Sequence, residues 1–409
     1  MSLVADPAPP IDGAERRVPG RVRHLEQARR RWGGRADLYV RMLGQGDDLA
    51  DAAVRALDAL GPERGRALLD RALALGREAV PDAPPALHAL LAHVEEVPAW
   101  VDFERLDHGA RVYWRTGPLG PLVLSALSLM NGYHASAAVK PLLFTGRLDR
   151  MARRRLAETG RYVSDVCAVG SLRRGARGYR ASVKVRLVHA RIRVALRHAP
   201  DWDTAAWGVP INQADMAATI HSFSTAVLYG TRRLGMRYRP DEADALVQLW
   251  RYAGYLNGVD PALLSATEAD ALEWADLFDL VQPGPDEGSL RLAAALRATN
   301  LERASGPLQH ALAPWVLRLH DGITRATAGD AKADALGIPR DPWQGRLVAA
   351  TRLVVGLAER LREWLPGATT LAAQLGARLH EAAVRGELQG IEPTFDIGSR
   401  PAVAVVAGA

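Results

Sequence analysis

A histidine set into an apolar helical stripe is the residue of this chain with the most chemistry to offer. His189 lies in Ser-Val-Lys-Val-Arg-Leu-Val-His-Ala-Arg-Ile-Arg, from Ser182 to Arg193. Val185, Val188, Ile192 and Leu196 fall at helical spacings around it, while Lys184, Arg186, Arg191 and Arg197 largely occupy other faces. An imidazole so placed must find a partner in the core or a metal. A core histidine bonded to a carbonyl or carboxylate is therefore the competing reading. Arg193 sits one turn on, on roughly the same side, where it can brace the histidine. Upstream, Arg155 and Thr159 are spaced i, i+4 and share a helix face. A guanidinium and a hydroxyl converging on one ligand can stabilise negative charge that develops on an oxygen atom. A solvated turn of a basic helix would show the same spacing. Glu158 can supply acid or base chemistry if burial raises its pKa, or pair with Arg155 or Arg161 as a salt bridge.

The elements that must position these groups are helices. Beyond His198 and the loop at Pro200 comes Trp207-Gly-Val-Pro-Ile-Asn-Gln-Ala-Asp-Met, and then an apolar helix carrying Thr219, His221, Phe223 and Ser224. Asn212, Gln213 and Asp215 are suited to capping and orienting that helix. With the His189 segment, this stretch resembles the rubber-oxygenase catalytic domain family, which includes bacterial latex clearing proteins and a fungal oxygenase that cleaves a farnesyl chain. Further pieces in matching order are Gly132-Tyr133, Lys140-Pro141-Leu142, Thr145-Gly146-Arg147-Leu148, Arg155 to Thr159, and Trp250-Arg251-Tyr252. The resemblance runs from about Trp100 to about Asp279.

That resemblance implies an all-α fold with a globin-like haem-binding core and additional helices. It also implies haem b as cofactor with dioxygen as co-substrate, and His189 as the proximal iron ligand. A single imidazole leaves the opposite coordination position open. Arg155 and Thr159 match the arginine and threonine that line the distal pocket in latex clearing proteins. Arg193 and Arg251 become candidates for pairing with a haem propionate. The chain departs from the family in two places. Latex clearing proteins carry a lysine just before the threonine, where this chain has Glu158. They also carry a glutamate proposed as catalytic base where Ala135-Ser136-Ala137-Ala138-Val139-Lys140 offers no carboxylate. The expected function is a haem b-dependent oxygenase acting on a hydrophobic, unsaturated small molecule of isoprenoid or polyketide type, with an electron donor as a further partner. Dioxygenase and monooxygenase chemistry both remain open. A haem peroxidase or peroxygenase and a non-catalytic haem sensor are the rival classes.

Composition fits a soluble, helix-rich protein. Of 409 residues, 48% are hydrophobic and 24% charged, enough for a large core. Ala, Leu and Arg dominate and strand-like alternation is scarce. The expected organisation is a flexible segment over 1–20, an N-terminal helical extension over 21–99, and the oxygenase core over 100–281. A C-terminal helical extension of the same domain over 289–390 and a tail over 391–409 follow. One cysteine, Cys167, precludes an intramolecular disulfide or a Cys-rich metal site and is read as a small packed hydrophobe. No His-Glu-x-x-His or Glu-x-x-His pattern suggests a zinc or di-iron site. His221 is expected to serve a core role. The tryptophans, Trp202, Trp207 and Trp250 among them, are expected to pack, with aromatic walls around a flat cofactor as the alternative. The net charge of +6 raises nucleic-acid binding, but acidic residues intersperse the arginine clusters and no base-stacking motif accompanies them. The start shows no signal peptide, and the longest apolar runs fall short of the roughly 20 residues needed to cross a bilayer. These features predict a cytoplasmic protein without a transmembrane segment.

Overall fold

The computed structural model describes residues 18–144, 148–302 and 306–388. The expected tail 391–409, residues 1–17 of the expected flexible segment, and Thr145-Gly146-Arg147 lie outside the described residues. Within them the fold is all-α, with no strand.

The N-terminal block holds α1 (Leu25–Trp32), α2 (Gly34–Leu43), α3 (Asp48–Ala59), α4 (Pro62–Leu75) and α5 (Pro85–Glu95). The centre follows with α6 (Phe103–Arg115), α7 (Leu119–His134), α8 (Ser136–Phe144), α9 (Leu148–Val166) and α10 (Arg177–Arg197). Then α11 runs on through Gln213–His221, Ser222–Ala226 and Val227–Arg233, and α12 (Pro240–Leu256) and α13 (Glu268–Leu280) complete the centre. The C-terminal block is α14 (Glu287–Glu302), α15 (Pro307–Ala328), α16 (Pro342–Trp364) and α17 (Ala368–Leu388).

Helix starts follow elementary capping rules. Asp47 accepts from the Ala50 amide ahead of α3, Asn212 from Asp215 ahead of α11, and Asp341 from Trp343 ahead of α16. Proline opens α4, α12, α15 and α16, where its missing N–H leaves no helical bond unmade. At the centre α6 is clasped between α12 and α17. Two glycines permit this: a Cβ at Gly109 would collide with the Ala245 carbonyl of α12, and one at Gly376 of α17 with the Trp114 carbonyl of α6. The main core spans the N-terminal block and the centre, with Trp250 fully buried and stacked on Phe223 at 4.4 Å between ring centroids. No single described helix is long and apolar enough to cross a membrane; the pair α7 and α8 passes by length and composition only when joined across a 97° bend.

Candidate active site

A cavity of about 1910 Å³ opens between the centre and the C-terminal block. It exceeds the roughly 300–1,000 Å³ of ordinary small-molecule pockets, which leaves room for a large flat cofactor beside a substrate. Two helices that wall it are locally widened into π turns, Leu124–Leu129 in α7 and Ser222–Ala226 in α11. The two turns pack together, and the Ser128 hydroxyl donates to the Ser222 carbonyl at 3.1 Å. Turns of this kind interrupt the helical ladder and often mark functional walls. Here they turn Ser125, Phe223 and Thr225 into the cavity lining.

His189 lies in the opposite wall, on α10, flanked by Val185, Val188 and Ile192. Its Nδ1 is buried without a hydrogen-bond partner, and among the described residues Nε2 has none either. A satisfied core histidine would bond a carbonyl or carboxylate; this one does not. Burial, helped by the charges of Arg193 and Arg155, pushes its pKa down to about 4. The ring is therefore neutral near pH 7, the form that offers a lone pair to a metal. Among the described residues no three His, Cys, Asp or Glu side chains converge. A bare ion would thus lack a ligand set. Haem b, which carries four equatorial nitrogens of its own, needs only one protein ligand, so the lone unpartnered imidazole and the large apolar cavity fit it.

Arg155, Glu158 and Thr159 all line the cavity from α9. The charge of Arg155 is felt at both His189 and the buried Tyr133 phenol, which burial pushes up to about 12. Glu158 accepts from Arg154 Nε at 3.0 Å in an i, i+4 pair, rather than from Arg155 or Arg161.

The two arginines expected beside the cofactor lie off the cavity lining. Arg193 is fully buried, but its guanidinium turns behind α10: Nε donates to Asp51 at 2.8 Å and Nη1 to the Ile211 carbonyl at 3.1 Å. The long side chain is drawn away from the His189 side by the buried Asp51 carboxylate. Arg251 lies over the Trp100 ring, 4.0 Å from its centroid, and also stays out of the cavity wall.

The remaining polar residues of the second signature are structural. Gln213 donates to the Gly46 and Gly258 carbonyls at 2.8 and 2.9 Å, and Asp215 takes a bidentate bond from Arg21 at 2.7 and 2.8 Å. His221 Nε2 donates to the Leu263 carbonyl at 2.8 Å, as a core histidine should. Cys167 is buried, and burial pushes its thiol well up. Trp202 and Trp207 pack with Phe144. Of the arginine clusters, Arg29 pairs with Glu26 and Asp37, Arg31 with Asp276, Arg173 with Asp107 and Arg174 with Glu78.

Sequence reasoning missed two networks. Behind α10, Arg186 makes a bidentate bond to Asp47 at 2.6 and 2.9 Å, both side chains almost wholly buried. Across the cavity, Ser125 meets His320 Nε2 at 3.1 Å, and Arg297 grips Asp321 at 2.9 Å. Neither leaves a local signal, because Asp47 lies 139 residues from Arg186 and Ser125 lies 195 residues from His320.

Residues 111–360 match the family model of the ER-bound oxygenase mpaB/B'/Rubber oxygenase, catalytic domain. The match carries on past Asp279 into the C-terminal block. A rubber oxygenase of Streptomyces sp. (strain K30) is 26% identical over 291 residues, covering 69% of each chain. A solved structure of latex clearing protein in the closed state superposes with a TM-score of 0.68 at 23% identity, over 87% of this chain and 95% of that one.

Proposed function

The chain belongs to the mpaB/B' and rubber oxygenase catalytic-domain family, and on that footing we propose that it is a haem b-dependent oxygenase of a hydrophobic, unsaturated small molecule of isoprenoid or polyketide type. The observation that carries the proposal is the unpartnered imidazole of His189 in the wall of a large, mainly apolar cavity that also receives Arg155 and Thr159.

Haem b, when bound, would supply the iron at which dioxygen is activated. His189 would hold it, and its neutral ring needs no proton loss to do so. Arg155 and Thr159 offer a cation and a hydroxyl, from consecutive turns of one helix, to negative charge developing on oxygen. Leucines and valines of α7, α9 and α10 exclude water and hold an extended apolar chain by burial alone. Glu158, held by Arg154 at the cavity rim, is the carboxylate nearest in sequence to these donors and a candidate for passing protons to and from solvent. We place the oxygenase in the cytoplasm and take an electron donor as its partner if the reaction is a monooxygenation.

The test is turnover of linear isoprenoids by haem-loaded protein under labelled dioxygen. Label in carbonyl products at a severed double bond supports a cleaving dioxygenase, and label in a single hydroxyl supports a monooxygenase. Turnover that runs on hydrogen peroxide without dioxygen would overturn the reading in favour of a peroxygenase.

A further inference from the structure

The outward face of the C-terminal block is apolar where a surface should be polar. On α16, Leu353 is 65% exposed, Leu361 64% and Trp364 86%, with Val354 and Leu357 exposed between them. Their spacings of three and four residues make one continuous stripe along the helix. On α15, Leu308, Leu312 and Trp315 repeat the pattern, and Trp315 meets Trp343 at the start of α16 with ring centroids 5.6 Å apart. On α17, Leu371, Leu375 and Leu379 do the same at four-residue intervals. Amphipathic helices normally turn such stripes inward, and monomers rarely expose so broad an apolar surface without an interaction to cover it.

Two features say what covers it. First, the face is continuous with the cavity: Leu312 and Val316 of α15 and Leu379 of α17 are exposed and also line it. Whatever covers this face also covers the way in, and must let an apolar molecule pass. Second, the face is ringed with positive charge. Arg352, Arg360 and Arg378 are exposed on these helices and pair with no carboxylate among the described residues, whereas Arg237 and Arg362 close by are paired with Glu363 and Glu359. Arg346 lies over the Trp343 ring at 5.0 Å. Leucines at the centre, tryptophans at the ends of the stripe and flanking arginines are the arrangement that seats a helix in the interfacial layer of a bilayer. A second copy of the chain fits less well, since a two-fold contact on this face would bring the unpaired arginines of each copy together and close the mouth.

We propose that the exposed face of α15, α16 and α17 docks on an anionic lipid surface, with the cavity mouth opening toward the acyl chains so that apolar substrate enters from the membrane. Docking itself does not depend on the oxygenase reading, and it is read without turnover. Full-length protein is sedimented with vesicles of phosphatidylcholine alone or mixed with phosphatidylglycerol. Wild type is expected to bind the mixed vesicles preferentially. Leu357→Glu with Leu361→Glu should weaken binding on the order of tenfold or more, and Arg352→Gln with Arg360→Gln by roughly fivefold per arginine, on mixed vesicles only. Both pairs are on the surface, so unchanged thermal melting verifies that the variants fold. Absence of wild-type binding to either vesicle would overturn the proposal, as would equal binding by all variants. So would a wild-type dimer without vesicle affinity that Leu357→Glu splits, which would assign the face to a second copy.

Discussion

The two sides of the His189 cavity are built on opposite rules. Behind His189, charge is taken out of water and paired: Arg186 with Asp47, and Arg193 with Asp51, all four nearly inaccessible, with the partly exposed Arg197 also on Asp51. On the far side, leucines and tryptophans of α15, α16 and α17 are left in water. The first wall fixes a helix rigidly so that one imidazole keeps its place. The second presents a surface that only a partner can bury. One helix shows both: α15 turns Leu312 and Trp315 outward while His320 and Asp321 join a buried network on its inner side.

The comparison breaks most easily at the rear wall. Removing one member of a buried ion pair strands the other, which costs about 3–5 kcal/mol. Asp47→Ala also removes the cap of α3 and should destabilise the fold by that amount in chemical denaturation. Leu357→Ala on the outward face should change stability by less than about 0.5 kcal/mol. Equal losses would erase the distinction between the walls.

Within the cavity the expected losses are catalytic. Thr159→Ala should retain haem and lower kcat on the order of a hundredfold, the usual effect of deleting one donor aimed at developing charge. A parallel loss of haem would instead make Thr159 part of the cofactor's seat.

The inner side of α15 should show itself in acid. Burial pushes the Asp321 carboxyl up, but the His320 hydrogen bond and the Arg297 guanidinium outweigh it, so its folded pKa lies below the ordinary 3.8. The fold favours the ionised form. Its contribution is present above about pH 4 and is lost as pH falls through the lowered folded value. Asp321→Asn should therefore flatten the fall of stability with acid below about pH 4, measured by denaturant midpoints across pH.

The smallest effect is expected at Arg251. Its stacking on Trp100 is worth about 0.5–1 kcal/mol, and since it stays out of the cavity, Arg251→Ala should leave haem content unchanged. Haem loss there would restore it as a propionate partner.

Much of this architecture could be read from the chain. The Ala- and Leu-rich periodicity announces helices, and the stripe around His189 and the i, i+4 spacing of Arg155 and Thr159 are local patterns that survive folding intact. The burial of Arg193 was not legible, because the carboxylate that claims it lies 142 residues away. The π turns were illegible for a related reason: no residue type demands them, and they arise where α7 and α11 pack against each other. What the C-terminal helices contribute to the cavity was not legible, because apolar periodicity does not say which way a stripe faces. Leu296, Leu312 and His380 line it.

We assign the cofactor's protein ligand to His189. Pyridine-haemochrome and ultraviolet–visible spectra of wild type and His189→Ala, both supplied with haem during expression, test it most directly. One haem b per wild-type chain, lost in a variant that still melts cooperatively, is the predicted result. A wild type that takes up no haem, or a variant that keeps it with an unaltered spectrum, would contradict the account.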